Sequence, residues 1–426
     1  MIEKFRIKNF KSFEDATLPL SHLTLLIGAN ASGKSNLIEA LRFMNWLAQG
    51  KTLKEIDYQM RDDISPIRGD LADFPRRGTK EFSFCVEVPH ASATLELGFT
   101  LAQRTTLGIR QEQLRLNNVV AYEYSSSPNV LKFPEKELTV TDAFKKPLDK
   151  PVFLHDEVFI ALAADTLGTA DIKAHSTEII KRCADFKNLF SSARFLDANL
   201  QKMRRPGREA DTELTDDGGN LAGVLYNLCK NDEHKATILG LIQQLPEQNI
   251  RDITFEKFRD DIHMSLCETF GGKVQEWDSA SLSDGTLRVL AIGAALLSAP
   301  KGALVVVEEI DNGVHPSRAK HLITQLLEIA KERDLSLLLS THNPALMNAI
   351  PDNAVKDAVF CYRDDKTGAS KLKKLEDFDE FIELTARAPL GDLSTRNELK
   401  KSLTSGSAEE KKAAALKWFD TFEKGL

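Results

Sequence analysis

Nowhere does the chain run through anything approaching the roughly twenty consecutive apolar residues that a membrane span needs. Its opening Met1-Ile2-Glu3-Lys4-Phe5 has no apolar export core. No membrane partner is expected, and the protein is placed in the cytoplasm. Cysteine is scarce: Cys85, Cys183, Cys229, Cys267 and Cys361 are scattered and odd in number, which suits reduced, buried thiols rather than a disulfide frame. Positive charge is not in excess either. The net charge of −7 argues against coating nucleic acid through the overall field. No heptad repeat is sustained between residues 156 and 248, so no long coiled-coil arm is expected there. Internal repeats and low-complexity tracts are also missing.

What is present begins with Gly28-Ala29-Asn30-Ala31-Ser32-Gly33-Lys34-Ser35, which fits the phosphate-binding pattern G-x-x-x-x-G-K-S/T. An apolar run from Leu23 to Ile27 leads into it, as a strand buried on both faces should. Leu37, Ala40, Leu41, Met44 and Leu47 follow at helical spacing. The glycines let the backbone curl so that N–H groups converge on phosphates, and a helix starting near Gly33 adds its positive dipole end. Lys34 would reach the β- and γ-phosphates of ATP, and the Ser35 hydroxyl would serve Mg²⁺.

At 426 residues and 42% hydrophobic, the chain can build a large core and two or three substructures. Ile2 to Phe13 reads as an edge strand leading to a turn at Glu14-Asp15, with a second strand over Thr17 to Leu20. After a helix ending near Gln49-Gly50, Lys51 to Thr79 reads as irregular connection or lid. Period-two alternation from Glu81 to Phe133 predicts an antiparallel meander. Residues 156 to 248 read as helical, around Ser176 to Ala193, Leu221 to Leu228 and Ala236 to Leu245. Ile250 to Leu266 returns as strands with Thr254, Phe258 and Ile262 inward. Buried strands over Ala303 to Val307 and Leu335 to Leu339 flank an amphipathic helix over Ser317 to Lys331, as in a parallel α/β sheet. Asp364 to Leu426 reads as a charged helical tail, with Lys411 to Phe422 docking through Leu416, Trp418 and Phe419. The expected divisions are 1–150, carrying the phosphate loop and the meander; 151–275, a helical insertion; 276–363, which completes the core with 1–50; and the tail 364–426.

The strand Ala303 to Val307 ends in Glu308-Glu309, two carboxylates at the carboxyl edge of a parallel sheet, where such sheets bind ligands. One can hold Mg²⁺, the other orient an attacking water. His342, in Ser340-Thr341-His342-Asn343-Pro344, falls at the same edge and could hydrogen-bond a γ-phosphate. Leu282-Ser283-Asp284-Gly285-Thr286 opens an apolar helix. Ser283 alone reads as an N-cap, and such a helix start is also an anion-binding surface. Lys202-Met203-Arg204-Arg205-Pro206-Gly207-Arg208 is the sharpest basic patch, either a solvated helix end or a nucleic-acid contact.

In this order the motifs resemble the ABC-type ATPase heads of the SMC, RecF and OLD proteins. Ile7-Lys8-Asn9-Phe10-Lys11-Ser12-Phe13 and Gly33-Lys34-Ser35-Asn36 share that look. So do Asp217-Gly218-Gly219-Asn220-Leu221-Ala222 and Glu308-Glu309-Ile310-Asp311-Asn312-Gly313-Val314-His315-Pro316, which point to a bacterial branch often labelled AAA-family ATPase. The resemblance covers residues 1 to about 50 and 217 to 363. It implies an α/β P-loop NTPase fold: an ABC-ATPase-like head with a mixed, largely parallel sheet, an antiparallel β subdomain and a helical insertion. It further implies ATP sandwiched head to tail between two subunits, in a homodimer or a larger even-numbered oligomer. Gly28, Asn30, Ser32, Gly33, Lys34, Ser35 and Asn36 would surround the phosphates, Ser35 and Glu308 the Mg²⁺. Glu309 would act as base and His342 as switch; Ser283 and Gly285 would come from the other copy, and Asp311 would sit in the linking loop. Two residues depart from the family pattern: Glu308 stands where Asp is usual, and Asp284 where Gly is usual. The glutamine of the family's Q-loop is left among Gln59, Gln103 and Gln201.

The expected function is a Mg²⁺-dependent ATPase that dimerises on ATP and gates a separately encoded nuclease or toxin, as in bacterial antiviral defence. This chain carries no H-N-H pattern, no zinc-ligand cluster and no Toprim-like acidic array after His342. The alternative is a RecF-like DNA-repair factor with DNA as its partner. A transporter subunit fits poorly, because the insertion before the signature is too long.

Overall fold

The computed structural model describes residues 1–61, 67–88, 92–102, 106–127, 129–133, 136–139, 150–154, 170–243, 249–310, 316–379 and 381–404. One large sheet organises them, and its strands follow the spatial order Arg194–Leu196, Leu304–Val307, Ser336–Thr341, Leu23–Ile27, Val359–Arg363, Ser370–Lys374, Phe13–Pro19, Lys4–Phe10, then Glu81–Val88 and the meander onward to Lys136–Thr139. The first five run parallel. From Lys4–Phe10 through the meander all pairings are antiparallel.

The parallel strands are apolar throughout because each feeds two cores. Along Leu304–Val307, Leu304 and Val306 face one hydrophobic cluster with the helix Lys34–Ala48, while Val305 and Val307 face a second with the helix Asp284–Ser298. Leu26 and Leu338 share the first cluster; Leu25, Ile27, Leu337 and Leu339 share the second. Alternation along a strand thus becomes a sheet covered on both sides. Register then aligns the functional ends: Val307 lies beside Leu339, and Thr341 beside Ile27. The chain therefore leaves the sheet at Gly28, Glu308 and His342 along one edge.

Several local expectations are corrected. The N-terminal strand is not an edge but lies between Phe13–Pro19 and Glu81–Val88, and the turn falls at Lys11-Ser12, not at Glu14-Asp15. Asn9 and Lys11 take left-handed φ of 51° and 48° to close it, while Asp15 stays in the strand and accepts two hydrogen bonds from Arg6 across the pair. Residues 51–79 contain the helix Leu53–Arg61, anchored by buried Ile56 and by Trp46 Nε1 donating to Gln59 Oε1 at 3.0 Å. The interval 156–248 is helical over Ala170–Ser191, Leu221–Leu228 and Asp232–Gln243, but it also gives the sheet a strand at Arg194–Leu196.

In the small second sheet, Ile262 is buried as expected, whereas Phe258 is 67% exposed and Thr254 only half-buried. A register shift between Ile250 and Asp252 moves the inward phase to Ile253, so the alternation read from Thr254 is one residue out. The tail is not uniformly helical, since Ser370–Lys374 pairs with Val359–Arg363 before the helices Phe381–Arg387, Leu390–Thr395 and Glu398–Thr404. Lys411 to Phe422 lies outside the described residues.

Candidate functional site

The phosphate loop is held from behind by residues far away in sequence. Gly28 has φ +152°, and a Cβ there would come 2.2 Å from the Cys361 carbonyl oxygen; Gly33, at φ +120°, would put one 2.3 Å from Ser370 Oγ. Both positions exclude a side chain for steric reasons. The Ser32 carbonyl accepts from Ser370 Oγ (2.6 Å) and from Cys361 Sγ (3.5 Å), and the Ala31 carbonyl from Arg363 Nε (3.2 Å). Asn36 Nδ2 donates to Ser12 Oγ at 2.8 Å, and that hydroxyl lies 2.8 Å from Ser370 Oγ. C=O and N–H of one trans peptide point opposite ways, so tethering the Ser32 carbonyl turns the Gly33 N–H away from the anchor.

The helix behind the loop starts with no side-chain cap at Gly33 and no acidic residue in its first turn. Its first-turn N–H groups and positive dipole end suit an anion. Lys34 Nζ arches over the loop, donating to the carbonyls of Gly28 (2.6 Å) and Ala29 (3.0 Å). Ser35 and Asn30 are exposed. Beside the loop opens a cavity of about 630 Å³, lined by Gly28, Asn30 and Ser32 together with His342, Arg363 and Lys400. His342 thus shares a cavity with the phosphate loop. Asn343 next to it is fixed by donating its N–H to Thr341 Oγ1 (3.0 Å) and capping Ala345 N (2.9 Å).

Glu308 and Glu309 occupy different environments. Glu308 is half-buried and accepts from Arg42 Nη2 at 3.3 Å; Arg42 also pairs with Asp216 and stacks its guanidinium 4.8 Å from the centre of the Phe195 ring. Burial pushes the Glu308 carboxyl upward, Arg42 opposes this, and Asp197 adds to it. Glu309 is exposed and takes a left-handed φ of 49°, with its N–H donating to Ser340 Oγ at 3.1 Å. A non-glycine residue held in that region carries strain of order 1–3 kcal/mol, typical of functional turns. Asp311 lies outside the described residues. Among the described residues no group of three or more His, Cys, Asp or Glu could hold a metal by itself. The hydroxyl of Ser35 and the carboxylate of Glu308 are nonetheless the hard oxygen donors that Mg²⁺ takes alongside phosphate oxygens.

Ser283 caps the helix Asp284–Ser298, accepting from Thr286 N at 3.2 Å, and is exposed; Gly285 is buried. Neither the residues from Leu282 to Thr286 nor Glu308 and Glu309 line the cavity beside the phosphate loop. The loop, His342 and the acids leave neighbouring parallel strands at one sheet edge, and Ser283 opens a separate helix.

A family model described as "AAA domain, putative AbiEii toxin, Type IV TA system" matches residues 23–348, from the strand before the phosphate loop to just past His342. The chain belongs to this family. The phosphate-loop motif and this match make it an AAA-domain P-loop ATPase. Over 402 residues this AAA-domain ATPase is 21% identical to a Helicobacter pylori protein named ATP/GTP phosphatase, covering 90% of this chain and 94% of the relative. A segment of 131 residues is 27% identical to a probable ribonucleotide transport ATP-binding protein of Mycobacterium leprae, covering 31% of this chain and 35% of that one. Solved structures similar to it include an Smc head bound to the C-terminal winged-helix domain of ScpA (13% identity, 87% of this chain and 97% of that one, TM-score 0.49). The SMC head domain of Thermotoga maritima is another (15%, 88% and 98%, TM-score 0.42). Among the described residues no helix is long and apolar enough to cross a membrane.

Reading the sequence alone missed the residues that brace this site. Ser12, Cys361, Arg363 and Ser370 form the floor of the phosphate loop, and Arg42 ties the loop's helix to Glu308. The Asp217-Gly218-Gly219-Asn220 turn proves to be a brace too. Its Asp217 accepts from Gly219 N (2.9 Å), and the carbonyls of Asp216 and Asp217 receive the N–H groups of Asp197 and Asn199. Gln59 of the Q-loop candidates is engaged with Trp46; Gln103 lies outside the described residues and Gln201 is exposed.

Proposed function

We propose that two copies of this ATPase close head to tail on ATP, hydrolyse it, and part, and that this cycle switches a separately encoded effector. The observation that carries the reading is that shared edge together with the exposure of Ser283. The loop, the acids and His342 leave neighbouring parallel strands at one edge, while Ser283 stands exposed at the start of another helix, open to a second surface. Ser283 and Gly285 of the partner subunit would complete the site. The γ-phosphate then bridges two surfaces, and its cleavage removes the differential contact that held them together.

Within the closed site Lys34 binds the β- and γ-phosphates, and the loop amides hold their oxygens. When bound, Mg²⁺ would neutralise charge between those phosphates, with Ser35 and Glu308 as the protein's donors. Glu309, exposed at the strand end, orients and polarises the water that attacks the γ-phosphorus. His342 hydrogen-bonds the γ-phosphate and so reports its presence. The family's description names a putative toxin and a type IV toxin–antitoxin system, a setting in which two chains act together. The insertion 151–275 and the tail 364–426 are the parts left to meet it, in the cytoplasm.

The experiment is a pair of variants. Glu309→Gln retains ATP binding, loses turnover and accumulates ATP-bound dimers in light scattering; Lys34→Ala loses binding. Parental turnover by Glu309→Gln would remove this residue from the base role. Monomers at every nucleotide state would end the head-to-tail reading.

A further inference from the structure

In the basic stretch 202–208, Arg205 and Arg208 are exposed, whereas Lys202 and Arg204 are engaged within the fold. Lys202 Nζ pairs with Asp217 at 2.7 Å, and Arg204, 26% exposed, reaches into the turn that precedes the signature serine. Its Nη2 donates to the Leu282 carbonyl (2.8 Å) and to Asp284 Oδ1 (2.9 Å), and its Nε donates to the Ala280 carbonyl (3.2 Å). Nη1 returns to the Leu200 carbonyl of its own short helix at 3.2 Å, and Ser279 Oγ donates to the Arg204 carbonyl at 3.0 Å. Directly before Arg204, Met203 is fully buried in the cluster that also holds Leu282 and Leu287. The guanidinium is therefore anchored on a packed base and spans both sides of Ser283.

We infer that Arg204 is the positioning residue of the signature, fixing Ser283 and Gly285 for the γ-phosphate bound by the partner subunit, with Asp284 as its tether. This rests on the head-to-tail reading. It also accounts for the acid at 284, where the family pattern has glycine. A carboxylate at the first helical position would repel an approaching phosphate unless a cation held and balanced it, and Arg204 does both. A planar fork can satisfy a carboxylate and two carbonyls at once, whereas a lysine ammonium cannot hold that geometry.

The test uses full-length variants mixed in pairs. Arg204→Ala should bind ATP within about twofold of the parent yet turn it over about tenfold more slowly or worse, because misplacing a group near the chemistry is costly. An equal mixture with Lys34→Ala should recover roughly a quarter of parental turnover, since half the dimers are mixed and each has one intact composite site. Ser283→Arg mixed with Lys34→Ala is the control. If the control recovers and the Arg204→Ala mixture does not, the defect acts within its own subunit and the positioning role falls, while the head-to-tail reading stands. If neither recovers, both fall. Arg204→Lys should remain slow; parental turnover in it would show that charge without the fork suffices and would also overturn the assignment.

Discussion

Replacing Arg42 by Met tests how the phosphate-loop helix and the first acid are coupled. The side chains of Arg42 and Glu308 are only 11% and 17% exposed, and the thioether would preserve most of the contact with Phe195 while removing the charge. Glu308 would then remain half-buried beside Asp197 without its cation. Breaking a buried pair on one side costs about 3–5 kcal/mol. Because Asp216, the other partner, is 59% exposed and can be hydrated, the lower end, about 3 kcal/mol, is expected. In a chain of this size that lowers the melting temperature by about 3 °C.

The functional consequence has a definite sign. Burial already raises the Glu308 pKa and Arg42 opposes it, so without Arg42 the carboxyl protonates at higher pH and the acidic limb of the ATPase profile moves toward neutrality. Melting curves and pH–rate profiles of parent and variant measure both effects. An unshifted acidic limb, with the melting temperature within a degree of the parent, would refute the coupling.

Three further outcomes follow from the geometry. Gly28→Ala would force a Cβ to within 2.2 Å of the backbone oxygen of Cys361, which cannot swing aside, so ATP affinity measured by calorimetry should fall at least about a hundredfold. Ser370→Ala leaves the buried Ser32 carbonyl without its 2.6 Å donor and should cost about 1–2 kcal/mol in chemical denaturation, with ATP binding several-fold weaker. Unchanged affinity in both variants would mean that the floor does not shape the loop. Glu112 is fully buried, accepts from the N–H groups of Val152 (2.6 Å) and Phe153 (2.8 Å) and from the Tyr122 hydroxyl, and burial lifts its pKa to about 7 despite these donors. The folded state holds this proton more tightly than the unfolded one, so stability should fall as pH rises from about 4.5 to 7 and level off above, by about 3 kcal/mol in all. Glu112→Gln should flatten that slope in melts between pH 5 and 8, and an identical slope would refute the assignment.

The elements whose evidence is local were readable. The phosphate loop carries its own glycines between an apolar strand and an amphipathic helix, and the acids and His342 each follow a strand buried on both faces. Periodicity located the meander and the helix Leu221–Leu228. What could not be read depends on distant partners. Phe258 looks inward by alternation and is exposed because a register shift resets the phase. Arg194–Leu196 is too short to announce itself and becomes a strand only because Leu304–Val307 offers an edge. Arg42, Arg204, Ser12 and Ser370 look like ordinary polar residues until folding brings them under the motifs they brace.

The floor of the phosphate loop also sets an order of events during synthesis. Cys361 and Ser370 stand 329 and 338 residues after Ser32, the residue whose carbonyl they hold. A ribosome that has released residues 1 to 350 has already displayed the Lys34 loop, both glutamates and the histidine, yet the strand that props the loop is still to come. An unfinished polypeptide therefore presents every motif but does not grip a nucleotide firmly until the last strands have paired.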